Sequence, residues 1–98
     1  MSQKIVFMGT STFAVPILKS LYQNGYPISV VYTQPPKKSK RGQKINPSPI
    51  EEYCKKNKIS YRNPEILNTQ EELKVFKELS ANLSVVVAYG KIIPKIFL

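Results

Sequence analysis

Five cations fall within eight residues of this chain, at Lys37, Lys38, Lys40, Arg41 and Lys44, with no acid between Gln34 and Ile50. Like charges this dense repel one another, so the pattern predicts an exposed loop that settles only against a polyanion. Phosphates are the matching chemistry, and a structured RNA is their natural source. Gly42 adds backbone freedom to this loop, while Pro35-Pro36 stiffen its entry. If about four phosphates are neutralised, affinity falls by roughly two orders of magnitude between about 50 and 200 mM salt. A merely solvated lysine-rich loop is the alternative.

The second candidate is Gly9-Thr10-Ser11-Thr12, a glycine and three hydroxyls between an apolar run and a helical pattern. Such a turn can hold a phosphate or a sugar, which makes Gly9 to Thr12 candidate substrate-binding residues. Equally, Gly9 can serve only to allow a tight strand-to-helix turn. A dinucleotide fingerprint needs three spaced glycines and an acid after the second strand, but here Tyr32-Thr33-Gln34 stands at that position. The Gly-Lys-Ser/Thr ending of a phosphate loop is missing too, so neither NAD nor ATP is expected.

What the chain lacks narrows the chemistry further. Its 98 residues carry 15 Lys and Arg against 6 Glu, for a net charge of +9, with no His and no Asp. Triads that rely on imidazole are excluded, and so are zinc sites of the usual ligand sets. The lone Cys54 lies in an amphipathic pattern and reads as a small core residue rather than a reactive thiol. A single cysteine and the lack of a signal-peptide pattern fit the cytoplasm. No apolar stretch approaches the ~18 residues that cross a membrane.

The elements that must position these residues alternate between strand and helix. Lys4 to Met8 reads as a first strand, and Phe13, Ile17, Leu18, Leu21 and Tyr22 recur at helical spacing, with Pro16 in the first turn. Ile28 to Tyr32 is a second, β-branched strand, followed by a long loop from Gln34 to Pro47. Ser48, Pro49 and Glu51 form a capping box for a helix with Ile50, Tyr53 and Cys54 inward. Ile59 to Arg62 reads as a third strand. Thr69 and Glu72 make a second capping box, opening a helix with Leu73, Phe76 and Leu79 inward.

Ser84 to Tyr89 is the fourth strand, apolar through Val85-Val86-Val87-Ala88, as a parallel strand covered on both faces requires. The order predicts an α/β fold: a parallel β-α-β sheet with helices on both faces. Ligands of such sheets bind at the carboxyl ends of the strands, so the turns after strands one and four should share one crevice. A further apolar segment, Lys91 to Leu98, begins as the sequence ends, which predicts that these residues belong to a longer polypeptide.

Several ordered blocks carry a resemblance. Ile5-Val6-Phe7-Met8-Gly9-Thr10, Phe13-Ala14-Val15-Pro16, Tyr32-Thr33-Gln34-Pro35, Arg41-Gly42, Pro47-Ser48-Pro49 and above all Val85 to Lys95 resemble the methionyl-tRNA formyltransferases across the whole chain. The resemblance implies a Rossmann-like formyltransferase fold truncated after its fourth strand, with residues 1–98 as the N-terminal portion of a catalytic domain. It implies transfer of a formyl group from 10-formyltetrahydrofolate to the amino group of methionyl initiator tRNA in translation initiation, with no metal. Such enzymes carry a C-terminal β-barrel that helps to bind tRNA, and the full-length protein is expected to be a cytoplasmic monomer.

Residue by residue, the resemblance implies that Arg41-Gly42 and the surrounding Lys37, Lys38, Lys40 and Lys44 contact the tRNA acceptor arm. It also implies that Tyr89, Gly90, Lys91, Ile92 and Ile93 line the folate pocket, largely through their backbone. The family's catalytic asparagine, histidine and aspartate fall beyond Leu98, so residues 1–98 alone are expected to be inactive. Three departures stand out: Ser11-Thr12 for the usual Pro-Asp, Pro36 for an Asp, and Lys38-Ser39-Lys40 for Pro-Ala-Gly. The alternatives are a folate-dependent sugar-nucleotide formyltransferase, which has no need of the basic loop, and a stand-alone basic RNA-binding module.

Overall fold

A computed structural model describes residues 4–38, 45–90, 93 and 97. The chain runs β1 (Ile5–Gly9), a 3-10 turn (Thr12–Ala14), α1 (Val15–Gln23), β2 (Ile28–Tyr32), β3 (Lys37–Lys38), β4 (Ile45–Asn46), α2 (Pro49–Asn57), β5 (Tyr61–Arg62), α3 (Gln70–Leu79) and β6 (Leu83–Val87). Four strands form a parallel sheet in the order β5-β2-β1-β6. The expected α/β architecture is therefore present, with strand order reversing between β1 and β6.

The continuous apolar run of β1 is explained by its central place. All five of its residues are buried, because helices cover both faces of the sheet. Side-chain alternation divides the core in two. Val6, Met8, Val30 and Tyr32 pack with Leu67, Tyr89 and Phe97 under Leu73, Phe76 and Leu79 of α3. Phe7 and Val31 face the other way, against Ala14, Leu18, Ile50 and Cys54.

Phe97 closes the α3 side, 4.4 Å from the Phe76 ring and 5.7 Å edge-on from Tyr32, and its carbonyl accepts a hydrogen bond from Ser84 Oγ. Strand β6, as apolar as β1, pairs with β1 alone among the described residues, which leaves Leu83 and Val86 partly exposed.

Several expectations need correction. The third strand shrinks to Tyr61–Arg62, and the fourth runs from Leu83 to Val87, ending where Ala88 takes φ 48°. Strand one is displaced by one residue, to Ile5–Gly9. The face expected of α1 is only partly inward. Phe13 belongs to the 3-10 turn and is 83% exposed, Ile17 and Tyr22 are exposed, and Leu18 is the buried anchor. The turn precedes α1, so Phe13 is out of phase with the helical stripe.

Both capping boxes form by half. Ser48 Oγ and Thr69 Oγ1 accept from the backbone N–H of Glu51 and Glu72, as expected. The glutamates do not reach back, because each is buried and claimed by a neighbouring group. Arg62 binds the Glu72 carboxylate bidentately at 2.8 and 2.7 Å, while Glu51 takes Asn63 Nδ2 at 2.8 Å and Lys55 Nζ at 3.1 Å. A carboxylate that is both buried and able to reach a cation gains more from pairing with it than from a backbone amide.

Candidate substrate crevice

The carboxyl ends of β1, β2 and β6 meet, and their turns are tied together through one carbonyl. Tyr89 O accepts from Thr10 Oγ1 at 2.7 Å and from Gln34 Nε2 at 2.8 Å. Gln34 N donates in turn to Thr10 Oγ1 at 3.2 Å, and Thr10 N donates to Ala88 O at 3.2 Å. The turns after β1 and β6 therefore meet, with the end of β2 joining them, but the cavity beside them is lined from the β1 and β2 sides and by no residue of the turn after β6. Both lone pairs of the Tyr89 carbonyl are engaged within this knot, so the carbonyl serves the scaffold rather than an open pocket.

Gln34 was not expected to take part. The sequence pattern puts it in an exposed loop, yet it is 8% exposed and its amide bridges two turns. The legible signal was a polar side chain at the end of a buried strand, where nucleotide-binding relatives of this sheet put an acid. Thr33 beside it is fully buried, with its Oγ1 2.6 Å from Ser48 Oγ, so the end of β2 is latched to the start of α2.

Gly9 is buried, and it is required by close approach rather than by its dihedral angles. A Cβ there would lie 2.8 Å from each of Ala14 Cβ, Phe7 Cε1 and Val87 O. Gly9 thus lets β1, β6 and the following turn converge, while Thr10, Ser11 and Thr12 line the opening. A cavity of about 400 Å³ lies there, completed by Gln34, Pro35, Lys37, Asn46, Pro47, Ser48 and Pro49. Ser11 Oγ is buried and has no hydrogen-bond partner among the described residues.

The loop from Gln34 to Pro47 is more ordered at its base than expected. Lys37–Lys38 pairs antiparallel with Ile45–Asn46, setting Lys37 opposite Asn46 at the mouth of the cavity. Lys37 is exposed. Lys40, Arg41, Gly42 and Lys44 fall outside the described residues.

Of the residues expected at the folate pocket, Tyr89 is 2% exposed and packs in the core under α3. Burial pushes its hydroxyl up to about 12, with Glu72 adding to the effect. Tyr32 is shifted the same way, chiefly by burial and then by Glu72, and neither hydroxyl has a hydrogen-bond partner among the described residues. Gly90 is exposed with φ +88°, and Ile93 packs half-buried against the same core. Lys91 and Ile92 lie outside the described residues. Cys54 is fully buried, and burial pushes its thiol up to about 12, with Glu51 contributing. It is a core residue, as its setting suggested. Among the described residues no cluster of three or more metal-ligating side chains occurs, and no helix is long and apolar enough to cross a membrane.

A parallel sheet with helices on both faces, whose strand order reverses beside β1, defines a doubly wound α/β fold, a class in which ligands sit at the strands' carboxyl ends. Residues 3–98 match the formyl transferase family, and the chain belongs to it. Methionyl-tRNA formyltransferase of Pelagibacter ubique is 59% identical over the whole chain, which covers 32% of that relative. The enzymes of the same name from Sulfurihydrogenibium and Coxiella burnetii are 47% and 45% identical over 94% and 97% of the chain, each covered to 30%. The chain thus spans about a third of the length of the curated relatives it matches.

Proposed function

We propose that the polypeptide carrying this chain transfers a formyl group from 10-formyltetrahydrofolate to the α-amino group of methionyl initiator tRNA, in the cytoplasm, at translation initiation. The observation that carries this reading is the 59% identity over the whole chain to a protein named methionyl-tRNA formyltransferase. Residues 1–98 form the N-terminal portion of its catalytic domain, and the remainder of that domain, with a β-barrel, lies beyond them.

The donor supplies the formyl carbon. The amine attacks it, the carbonyl oxygen becomes an oxyanion, and the bond to the folate nitrogen breaks as that nitrogen gains a proton. An oxyanion needs hydrogen-bond donors, and proton transfer needs a base near neutrality. Without histidine or aspartate, residues 1–98 are suited to binding and orientation rather than to these steps. The turn after β6, from Gly90 to Ile93, lines the folate side, with Tyr89 anchoring it from the core, and Gly9 to Thr12 form the acceptor side. Lys37, Lys38, Lys40, Arg41, Gly42 and Lys44 meet the phosphates of the acceptor arm, where charge density favours a polyanion.

The test uses the full-length protein with labelled formyl donor, offered methionyl initiator tRNA and, separately, an amino-sugar nucleotide. Label in the tRNA, with none from residues 1–98 alone, is the expected result. Label in the sugar nucleotide, or in neither acceptor, overturns the reading.

A further inference from the structure

We propose that Gln34 is a positioning residue for the formyl donor: its side-chain amide holds the turn after β6 in the shape that receives folate. The inference rests on the assignment of Gly90 to Ile93 to the folate side, and it adds a residue from another strand to that side.

The order of the sheet makes such a tie necessary. Strands β2 and β6 flank β1 and do not pair with each other, so no ladder connects the end of β2 to the turn after β6. Gln34 follows β2 by two residues. It reaches across the end of β1 and donates from Nε2 to Tyr89 O at 2.8 Å, 55 residues along the chain. Its own backbone N–H is fixed on the Thr10 hydroxyl at 3.2 Å, and that hydroxyl donates to the same carbonyl at 2.7 Å. Main chain and side chain of one buried residue are thus both tied into the knot.

The turn itself is a strained piece of chain. Ala88 and Gly90 both take left-handed backbone, at φ 48° and 88°, with Tyr89 between them. A left-handed alanine persists only where its surroundings over-determine it. Here they do: Ala88 O accepts from Thr10 N at 3.2 Å, and Tyr89 O accepts from two donors. Gly90 leaves the space in which the amide rests, since a Cβ there would collide with Gln34 Nε2. The amide therefore fixes Tyr89 by a hydrogen bond and Gly90 by contact.

Without that donor, the Tyr89 carbonyl keeps only the Thr10 hydroxyl, and the turn is free to sample other shapes. A surface that is correctly shaped for part of the time binds its ligand more weakly by that fraction. Gln34 also lines the cavity on the acceptor side, so direct contact with the acceptor is the competing role. The two roles predict losses for different substrates.

The experiment uses the full-length protein. Gln34→Met keeps the length of the side chain and removes the donor, whereas Gln34→Glu keeps its shape and sets a carboxylate against the carbonyl. We expect KM for 10-formyltetrahydrofolate to rise about fivefold with Gln34→Met and more than about tenfold with Gln34→Glu. KM for methionyl initiator tRNA should stay within about twofold of wild type. The Gly90 amide resonance should shift in both variants, while those of β1 and α1 stay in place and show that the fold is kept.

A donor KM unchanged in both variants overturns the proposal. So does an equal rise in KM for the tRNA, which assigns the side chain to the acceptor instead. The functional reading is scored apart, by formylation with the wild-type protein. If that is absent, the reading falls and the Gly90 resonance decides the tie alone: moved by the substitutions, the turn is held by Gln34; unmoved, it is not.

Discussion

The turn after β1 and the segment after β2 leave the same end of the sheet, yet they are held in opposite ways. The first is crowded: Gly9 has no room for a Cβ, and Thr10 bonds across to Tyr89 and Gln34. The second departs through two prolines, is gathered by one two-residue ladder, and presents Lys37 to solvent. Under the proposed function, the crowded turn fixes where a ligand sits and the charged segment sets what is drawn to it. Position and attraction are thus assigned to neighbouring but mechanically distinct pieces of chain.

Substitutions graded along this contrast should separate the two roles. Gly9→Val should have the largest effect on stability, about 3 kcal/mol, since its side chain meets the Val87 carbonyl and the Ala14 methyl at once. A urea midpoint for the full-length protein close to wild type would refute the crowding. Gly90→Ala comes next, at about 1–2 kcal/mol. It strains a residue at φ +88° and pushes the Gln34 amide away from Tyr89 O. The loss should appear in the melting curve together with a changed environment for the Gln34 side chain.

Lys37→Gln closes the series with a stability change within about 0.5 kcal/mol, because its side chain is solvated. Its signature is a salt slope for RNA binding that is shallower by about one unit. An unchanged slope would move the phosphate contacts elsewhere.

The sequence made the fold legible where burial alone decides it. The runs through β1 and β6 were both recognisable as strands of a parallel sheet, but only β1 is buried throughout; β6, expected to be covered on both faces, has no fully buried residue. The meeting of the turns after β1 and β6 followed from the winding rule. The fate of polar side chains was not legible. Glu51 and Glu72 matched a capping pattern three residues after their caps, but partners from other elements, Asn63 and Arg62, took their carboxylates, with Lys55 joining Glu51 from one turn along the same helix.

Gln34 failed to stand out for the same reason. Its partner Tyr89 is 55 residues away, and a local pattern carries no trace of such a bond. Phe13 matched the helical period but sits on a 3-10 turn, so a stripe that continues on paper is interrupted in space. The signal from the basic loop was electrostatic and survived intact at Lys37, since exposure needs no partner to be inferred.

The Arg62–Glu72 pair has a consequence for how the sheet comes apart. Strand β5 has only two residues, and a strand that short at a sheet edge would ordinarily be the first to fray. Its Arg62 is clasped by a carboxylate from the first turn of α3, and parting them would strand a partly buried charge. Edge strand and crossing helix therefore open together or stay closed together. The smallest strand of the sheet acts as a hinge pin, holding the start of α3 against the end that carries the crevice.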